Sequence, residues 1–199
     1  MFTGIIQSLG TIRAKDISPS GAVFSFASPD MDFSDVSVGD SIAVNGVCLT
    51  VIEVADDSFK ADISKETLDC SIFDKLEIGN NVNLEKSLRM NQGIDGHLVS
   101  GHVDGVAQVV DIFAEGISTR LRIKSPTSLV KYIARKGSVC VNGVSLTINA
   151  INKDIFDINI VPHTMSVTNL GQLEVSDFIN IEVDIIARHL EQLLSTNNN

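Results

Sequence analysis

The sequence predicts an all-β protein built from two similar six-stranded Greek-key β-barrels, which arise from an internal duplication and are followed by a C-terminal α-helix. The stretch NGVCLTV at residues 45–51 recurs as NGVSLTI at residues 142–148. An offset of 97 residues aligns the copies without a gap over about eighty residues, and two copies make a pair of domains, not a solenoid. Each copy contains about six short β segments between turns, and closing them into a barrel removes exposed strand edges.

The elements of each copy follow from its alternating apolar residues and its turn residues. Asn45-Gly46 is a strong turn signal, and the polar start of SKETLDC suits a short helix. The second copy repeats the order of the first and ends with the strand FINIEVDI (178–185). For the first copy we expect strands in GIIQSLGTIRAKDI (4–17), AVFSFAS (22–28), SIAVNGVCLTVIEV (41–54, with the turn inside it), ADDSFKADI (55–63, after a turn) and NVNLEKSLRM (81–90), with the helix in SKETLDC (64–70).

The chain divides at MNQGIDG (90–96), whose Gly and Asn residues are typical of a linker. We expect an N-terminal barrel at residues 1–89, a C-terminal barrel at residues 97–184, and a helix with a frayed tail at residues 185–199. The helix has one apolar face, which packs either on its own barrel or on another subunit. That face comprises Ile185, Ile186, Leu190, Leu193 and Leu194.

Composition excludes several classes of protein. The net charge is −10, with 15 Lys and Arg against 25 Asp and Glu, which argues against binding to nucleic acid or to an anionic membrane. No apolar run reaches the roughly 18 residues of a membrane span, and no secretory signal is present, so we expect a cytoplasmic protein. Three widely spaced cysteines argue against a disulfide framework or a zinc site, and we expect no metal.

The polar positions of the repeat separate scaffold from candidate chemistry. Asn45 and Asn142 are most simply turn residues, and the repeated threonines have a structural interpretation as backbone partners. The reactive positions differ between the copies, which fits either neutral drift or two like molecules held in unlike roles. The divergent pairs are Cys48/Ser145, Ile5/His102, Asp62/Asn159, Glu66/His163 and Gly39/Lys136. In DGHLVSGHVDGV (95–106), glycines permit close backbone approach and a histidine offers proton transfer near neutral pH.

Six segments carry a resemblance to a known family: MFTGII, NGVCLTV, GHLVSGHVDG, KGSVCVNGVSLTI, VPHTMSVTNLG and NIEVDIIARHLE. In order and spacing they resemble riboflavin synthase of the duplicated-barrel, alpha-chain type, and the resemblance covers nearly the whole chain. It implies that two molecules of 6,7-dimethyl-8-ribityllumazine become riboflavin and 5-amino-6-(ribitylamino)uracil, in the last step of riboflavin biosynthesis. A four-carbon unit passes between the two lumazines, without a cofactor or a metal.

The resemblance also implies an assembly. Members of the family are homotrimers held largely by the C-terminal helix. Each active site is a sandwich of one subunit's N-terminal barrel and a neighbour's C-terminal barrel, with one lumazine from each. Whether such a chain associates with a lumazine synthase is left open.

Matched motif by motif, the resemblance implies two substrate sites. The N-terminal site would comprise Phe2, Gly4, Ile5, Ile6, Ser41, Cys48, Leu49, Thr50, Asp62, Ile63, Ser64, Lys65, Glu66 and Thr67. The C-terminal site would comprise Gly101, His102, Val103, Lys136, Ser145, Leu146, Thr147, Asn159, Ile160, Val161, Pro162, His163 and Thr164, with Asp184 before the tail helix. Two positions depart from the family: Asp95 stands where glycine is frequent, and Asn142 stands where some relatives carry Asp.

The implied chemistry begins with loss of a proton from the C7 methyl of one lumazine. We expect His102 to assist that transfer, with Ser145 and Thr147 orienting the donor or a water. We expect Cys48 to add to, or hydrogen-bond, C7 of the acceptor, because a thiol is the better nucleophile.

Three alternatives stay open at this point. A non-catalytic lumazine- or flavin-binding fluorescent protein of the same fold would be expected to lose Cys48 and His102, and both are present. A β-barrel oligomerisation module would bind no lumazine. A flavin-reductase barrel is disfavoured because no Gly-rich dinucleotide loop follows a strand.

Overall fold

The predicted two-barrel architecture is confirmed. The computed structural model describes residues 1–196, so the last three residues of the predicted tail lie outside the described residues. Both copies form closed antiparallel barrels with the same strand order, which in the first copy is β1-β2-β5-β4-β3-β6. The first barrel comprises β1 (Ser8–Ser18), β2 (Gly21–Ala27), β3 (Ser41–Val44), β4 (Val47–Ala55), β5 (Ser58–Ser64), α1 (Lys65–Cys70), a 3₁₀ turn (Ile72–Lys75) and β6 (Asn81–Lys86). The second comprises β7 (Gly105–Glu115), β8 (Ser118–Lys124), a 3₁₀ turn (Thr127–Tyr132), β9 (Ser138–Val141), β10 (Val144–Asn152), β11 (Ile155–Ile160), α2 (Pro162–Val167), a 3₁₀ turn (Asn169–Gln172) and β12 (Phe178–Val183), followed by α3 (Ile185–Thr196).

The ends of three predicted strands are wrong, since β12 ends at Val183 instead of residue 185 and two strands of the first copy also differ. β1 begins at Ser8 instead of Gly4, because the residues before it leave the first barrel and Gly4 has a positive φ of 77°. β6 ends at Lys86, before the predicted end at residue 90. The short helix is confirmed: α1 begins after Ser64, whose Oγ accepts a hydrogen bond from Thr67 N at 3.1 Å.

The two barrel cores are filled differently. In the first, Phe24, Phe26, Phe59 and Phe73 are buried, and their ring centroids lie 5.1–6.4 Å apart in tilted and edge-on pairs. In the second copy the residues 97 positions later, here called equivalent residues, are mostly aliphatic. The two barrels therefore reach the same shape with different side chains.

The predicted Asn-Gly turns join the two barrels. Asn45 and Asn142 have φ of 46° and 45°, and each side-chain oxygen accepts a backbone N–H of its own barrel's closing strand. Asn83 Nδ2 donates to Asn142 O at 2.8 Å, and the equivalent Asn180 donates to Asn45 O at 2.9 Å. A Cβ on Gly46 would lie 2.7 Å from the backbone N of Gly143, so the turns pack backbone against backbone. The asparagines are structural, and they fix the approximate two-fold relation between the barrels.

Helix α3 packs on the second barrel through polar contacts. Glu191 contacts Lys131 and Tyr132, and Arg188 pairs with Asp104. Four of the five residues of the predicted apolar face remain exposed on the chain: Ile186, Leu190, Leu193 and Leu194. Within residues 1–196, no helix is long and apolar enough to cross a membrane.

Candidate active sites

The first candidate site is a cavity of about 290 Å³ beside β4 and α1. Its walls carry Cys48, Glu66, Thr67 and Cys70 from the first copy, together with His102 from the second. We call this cavity the N-terminal pocket. Because Cys48 and His102 share it, a thiol and an imidazole can act on one bound ring.

A second cleft of about 540 Å³ adjoins this pocket and shares Ser64 with it. Thr50 and Asp62 lie in its wall, and Ser18 and Ser20 add hydroxyl groups from the β1–β2 hairpin. Hydroxyls and a carboxylate suit a polyol chain, because each can exchange hydrogen bonds with it. No lysine or arginine is among the residues that line the cleft.

The segment that closes the N-terminal pocket comes from the other copy. Cys48 N donates to Gly101 O at 2.8 Å. Gly101 has φ +81°, and a Cβ on it would lie 2.6 Å from Cys48 Cβ and 2.9 Å from the Phe2 ring. The contact therefore requires glycine at this position, because the backbone is left-handed and because there is no space for a Cβ atom.

The same exchange occurs at the equivalent position of the second barrel. Ser145 N donates to Gly4 O at 2.8 Å, and a Cβ on Gly4, whose φ is +77°, would lie 2.6 Å from Ser145 Cβ. Ile6 packs against the second core and Val103 packs against the first. The structure groups these segments differently from the prediction: Gly4 and Ile6 contact the second barrel, whereas Gly101, His102 and Val103 line the N-terminal pocket. Sequence alone assigned each segment to its own barrel, because it could not show that the chain crosses over.

Two buried carboxylates hold these crossing segments. Glu85 accepts Thr3 N at 2.7 Å and Gly4 N at 3.0 Å. Glu182, the equivalent residue, accepts Ser100 N at 2.7 Å and Gly101 N at 2.9 Å. Burial raises the pKa of Glu85, and the hydrogen bonds from Thr3 and Gly4 oppose the increase.

The second candidate site centres on a pair that the prediction did not contain. His97 Nδ1 and Ser145 Oγ are 2.6 Å apart. Burial lowers the pKa of His97, and the charges of Asp184 and Glu182 oppose that decrease. His97 is thus favoured in its neutral form, in which one ring nitrogen can accept a proton from a hydroxyl or a bound carbon acid. The linker covers this pair closely, since a Cβ on Gly96 would lie 2.8 Å from Ser145 Cβ.

This geometry corrects the predicted cooperation of His102 with Ser145. His102 lies in the N-terminal pocket with Cys48, and His97 is the imidazole that contacts Ser145. We call the region around Ser145 and His97 the C-terminal pocket. Within the described residues, no cluster of three or more His, Cys, Asp and Glu side chains could hold a metal ion.

Comparison with known proteins identifies the family. The lumazine binding domain matches twice, at residues 3–87 and 100–184. Riboflavin synthase of Photobacterium phosphoreum is 44% identical over 194 residues, which cover 98% of this chain and 89% of that protein. The chain belongs to the riboflavin synthase family. Riboflavin synthase of Mycobacterium tuberculosis is 37% identical over 198 residues and 98% of both chains.

Solved structures agree with this family assignment. LumP in complex with riboflavin superposes with a TM-score of 0.84 at 33% identity, covering 92% of this chain and 99% of that one. LumP in complex with 6,7-dimethyl-8-(1'-D-ribityl) lumazine gives 0.83 at 31% identity, with the same coverage. The resemblance to riboflavin synthase is therefore confirmed.

The other residues implied by the family resemblance are distributed unevenly. The side chains of Leu49, Ile63 and Ile160 lie in barrel cores, and Phe2 is buried at the junction of the barrels. Lys136 holds a positive φ of 68° where Gly39 of the first copy has a φ of 96°, so the turn before the third strand has a left-handed backbone in both copies. Ser41 pairs with Thr50, and Thr147 pairs with the residue equivalent to Ser41. Lys65, Leu146, Asn159, Val161, Pro162, His163 and Thr164 are partly or fully accessible on strands β10 and β11 and at the starts of α1 and α2.

Sequence reasoning missed the contact of His97 with Ser145 for a definite reason. The 97-residue offset places its counterpart before Met1, so comparing the copies gave no information about it. Asp184 was included, and its Oδ1 accepts Ile186 N at 2.9 Å at the start of α3. Cys70 was also missed, because the equivalent Val167 gives no chemical signal.

Proposed function

We propose that this chain catalyses the dismutation of two molecules of 6,7-dimethyl-8-ribityllumazine into riboflavin and 5-amino-6-(ribitylamino)uracil, as a transferase that passes a four-carbon unit between them. One observation carries the proposal: equivalent positions of the two copies carry different reactive groups, with Cys48 and His102 lining one cavity and Ser145 Oγ lying 2.6 Å from His97 Nδ1. A dismutation requires two identical substrate molecules to react in different ways, so each must bind in a different chemical environment. Curated relatives named riboflavin synthase support it.

The C-terminal pocket suits proton transfer. The carbanion formed by loss of a proton from the lumazine C7 methyl is delocalised into the ring, so a modest base suffices. His97, kept neutral by burial, can take that proton directly or through Ser145 Oγ. Thr147 on β10 and Lys136 before β9 are our candidates for hydrogen-bond donors to the ring or the ribityl chain.

The N-terminal pocket suits addition to the second lumazine. The Cys48 thiol can add to C7 of that ring or donate a hydrogen bond to it, and His102 can exchange the accompanying proton. Thr50 and Asp62 in the adjoining cleft hold the ribityl hydroxyls. Fixing both rings in one relative orientation contributes about 7–11 kcal/mol to a bimolecular step.

The assembly belongs to the same proposal. Helix α3 exposes Ile186, Leu190, Leu193 and Leu194, a stripe that a homotrimer would bury. Within the trimer, the N-terminal pocket of one chain would face the C-terminal pocket of a neighbour, so that each site holds two lumazines. We place the protein in the cytoplasm, with a lumazine synthase as a candidate partner because it would supply the substrate.

A non-catalytic binding protein is the second candidate, since LumP structures with bound riboflavin and lumazine superpose on this chain. Incubating the purified protein with 6,7-dimethyl-8-ribityllumazine separates the two. The enzyme forms one riboflavin and one pyrimidine for every two lumazines consumed. Stoichiometric fluorescent binding without riboflavin formation would refute the enzyme.

Variants locate the chemistry. We expect Ser145→Ala and His97→Gln to lower kcat together, since they break one pair, and Cys48→Ser and His102→Gln to lower it through the other pocket. General acid–base contributions of this kind are about 10²–10⁴-fold. Four rates near that of the wild type would contradict both assignments.

A further inference from the structure

Asp104 lies two residues after His102, in the segment that closes the N-terminal pocket. Its side chain is only 7% exposed, its backbone N donates to Ile181 O at 2.8 Å, and its Oδ2 accepts Val183 N at 2.8 Å. The other oxygen, Oδ1, pairs with Arg188 of helix α3. The Asp104 carboxylate therefore connects the segment of His102 both to strand β12 and to helix α3.

The first copy shows which part of this arrangement the barrel needs. Gln7 is the equivalent of Asp104, and its Oε1 accepts Lys86 N at 3.0 Å, just as Asp104 accepts the equivalent Val183 N. In the first copy, a neutral side-chain amide therefore accepts this backbone hydrogen bond without a cation beside it. The position equivalent to Arg188 is Asn91, in the linker. Only the second copy has a charged residue at this position, Asp104, and an arginine, Arg188, that pairs with it.

A buried carboxylate left without a partner is strongly destabilising, and Arg188 is the partner of Asp104. We propose that Arg188 is a positioning residue for the N-terminal pocket: by holding Asp104, it fixes the segment that presents His102 to Cys48. The helix exposed for assembly would then also order a pocket of the first barrel. The catalytic part of this inference rests on the proposed function.

Four variants test the inference on the full-length protein. Arg188→Gln removes the cation and Arg188→Lys keeps it. Asp104→Gln combined with Arg188→Gln recreates the neutral arrangement of Gln7, so no unpaired charge is left buried. Glu191→Gln is the matched control, because it removes the other polar attachment of α3, to Lys131 and Tyr132, without touching Asp104.

The readouts are kcat for lumazine turnover, oligomeric state by light scattering, and hydrogen exchange of the backbone amides of residues 101–105. We expect Arg188→Gln and the double variant to lower kcat by roughly ten- to a hundredfold, as displacement of a reacting group by about 1 Å can. Exchange at residues 101–105 should rise in both. Arg188→Lys should restore both readouts, and Glu191→Gln should change neither.

Two results would overturn the inference. Full activity and protection in the double variant would mean that Arg188 only neutralises Asp104. Equal losses in Glu191→Gln, with dissociation, would mean that α3 acts through assembly alone. If the wild type fails to turn over lumazine while exchange still responds to Arg188→Gln, the proposed function falls and the positioning role stands.

Discussion

Replacing Glu182 with Gln tests the exchange of segments between the barrels. Glu182 belongs to the second barrel, but through Ser100 and Gly101 it holds the segment that covers Cys48 in the first. We therefore expect Glu182→Gln to open the N-terminal pocket. The matched variant Glu85→Gln should loosen residues 3–4 over Ser145 and leave Cys48 covered.

The size of the effect follows from the hydrogen bonds. Glu182 Oε1 accepts Ser100 N at 2.7 Å and Ser100 Oγ at 2.5 Å, and Oε2 accepts Gly101 N at 2.9 Å. A glutamine amide retains one acceptor oxygen, but its NH₂ group would face one buried backbone N–H, which would then have no acceptor. Loss of a charged acceptor and one unsatisfied donor amounts to about 2–4 kcal/mol. The opening equilibrium of the segment should rise roughly 30- to 800-fold.

The assay is alkylation of Cys48 by iodoacetamide, quantified by peptide mapping. Cys70 is exposed in the wall of the same pocket, so the internal control is Cys140, which is buried and reports global unfolding. Glu182→Gln should speed alkylation of Cys48 and leave Cys140 unreactive, whereas Glu85→Gln should leave both unchanged. A faster Cys48 in Glu85→Gln, or no change in Glu182→Gln, would refute the exchange of segments.

Three further predictions concern charge, pH and packing. Asp62→Asn should raise the affinity for flavin mononucleotide relative to riboflavin about fivefold, because removing a negative charge near the ribityl end lessens repulsion of a phosphate. Fluorescence titration measures the ratio of the two affinities, and an unchanged ratio would place the ribityl end elsewhere. Burial lowers the pKa of His97, so the free energy of unfolding should fall as the pH drops below about 6.5; comparing urea midpoints of the wild type and His97→Gln at pH 5 and pH 7.5 measures that contribution, which vanishes if the ring is solvated. Asn169→Ile introduces the residue found at the equivalent Ile72 and removes hydrogen bonds of 2.9 Å to Asn45 Oδ1 and 2.8 Å from Asn83 Nδ2. It should lower the free energy of unfolding, measured in urea, by about 2–4 kcal/mol. A loss under 1 kcal/mol would contradict this account.

The barrels could be predicted because their signals are local and duplicated. Alternation fixed the strand faces, the Asn-Gly pairs fixed turns, and a constant offset showed that the two copies share one fold. The bulge at Arg13 recurs at its equivalent, between Val109 and Asp111, which shows how closely the copies agree in backbone. None of this required knowledge of long-range contacts.

The composition of each pocket could not be predicted in the same way. Residues 3–4 and 100–101 reach the opposite barrel, as the backbone hydrogen bonds from Ser145 N to Gly4 O and from Cys48 N to Gly101 O show. The sequence shows that Gly4 and Gly101 are equivalent. The two glycines would be equivalent whether each segment packed on its own barrel or on the opposite barrel, so the sequence does not distinguish these arrangements. His97 was missed because it lies outside the repeat.

Complementation between defective chains tests most directly whether two different pockets from neighbouring subunits make one active site. His102→Gln disables the N-terminal pocket and His97→Gln disables the C-terminal pocket. Co-expressed, the two variants should recover riboflavin formation well above either variant alone, because in the proposed trimer some sites would combine two intact pockets. A co-expressed mixture no more active than the separate variants would contradict the account.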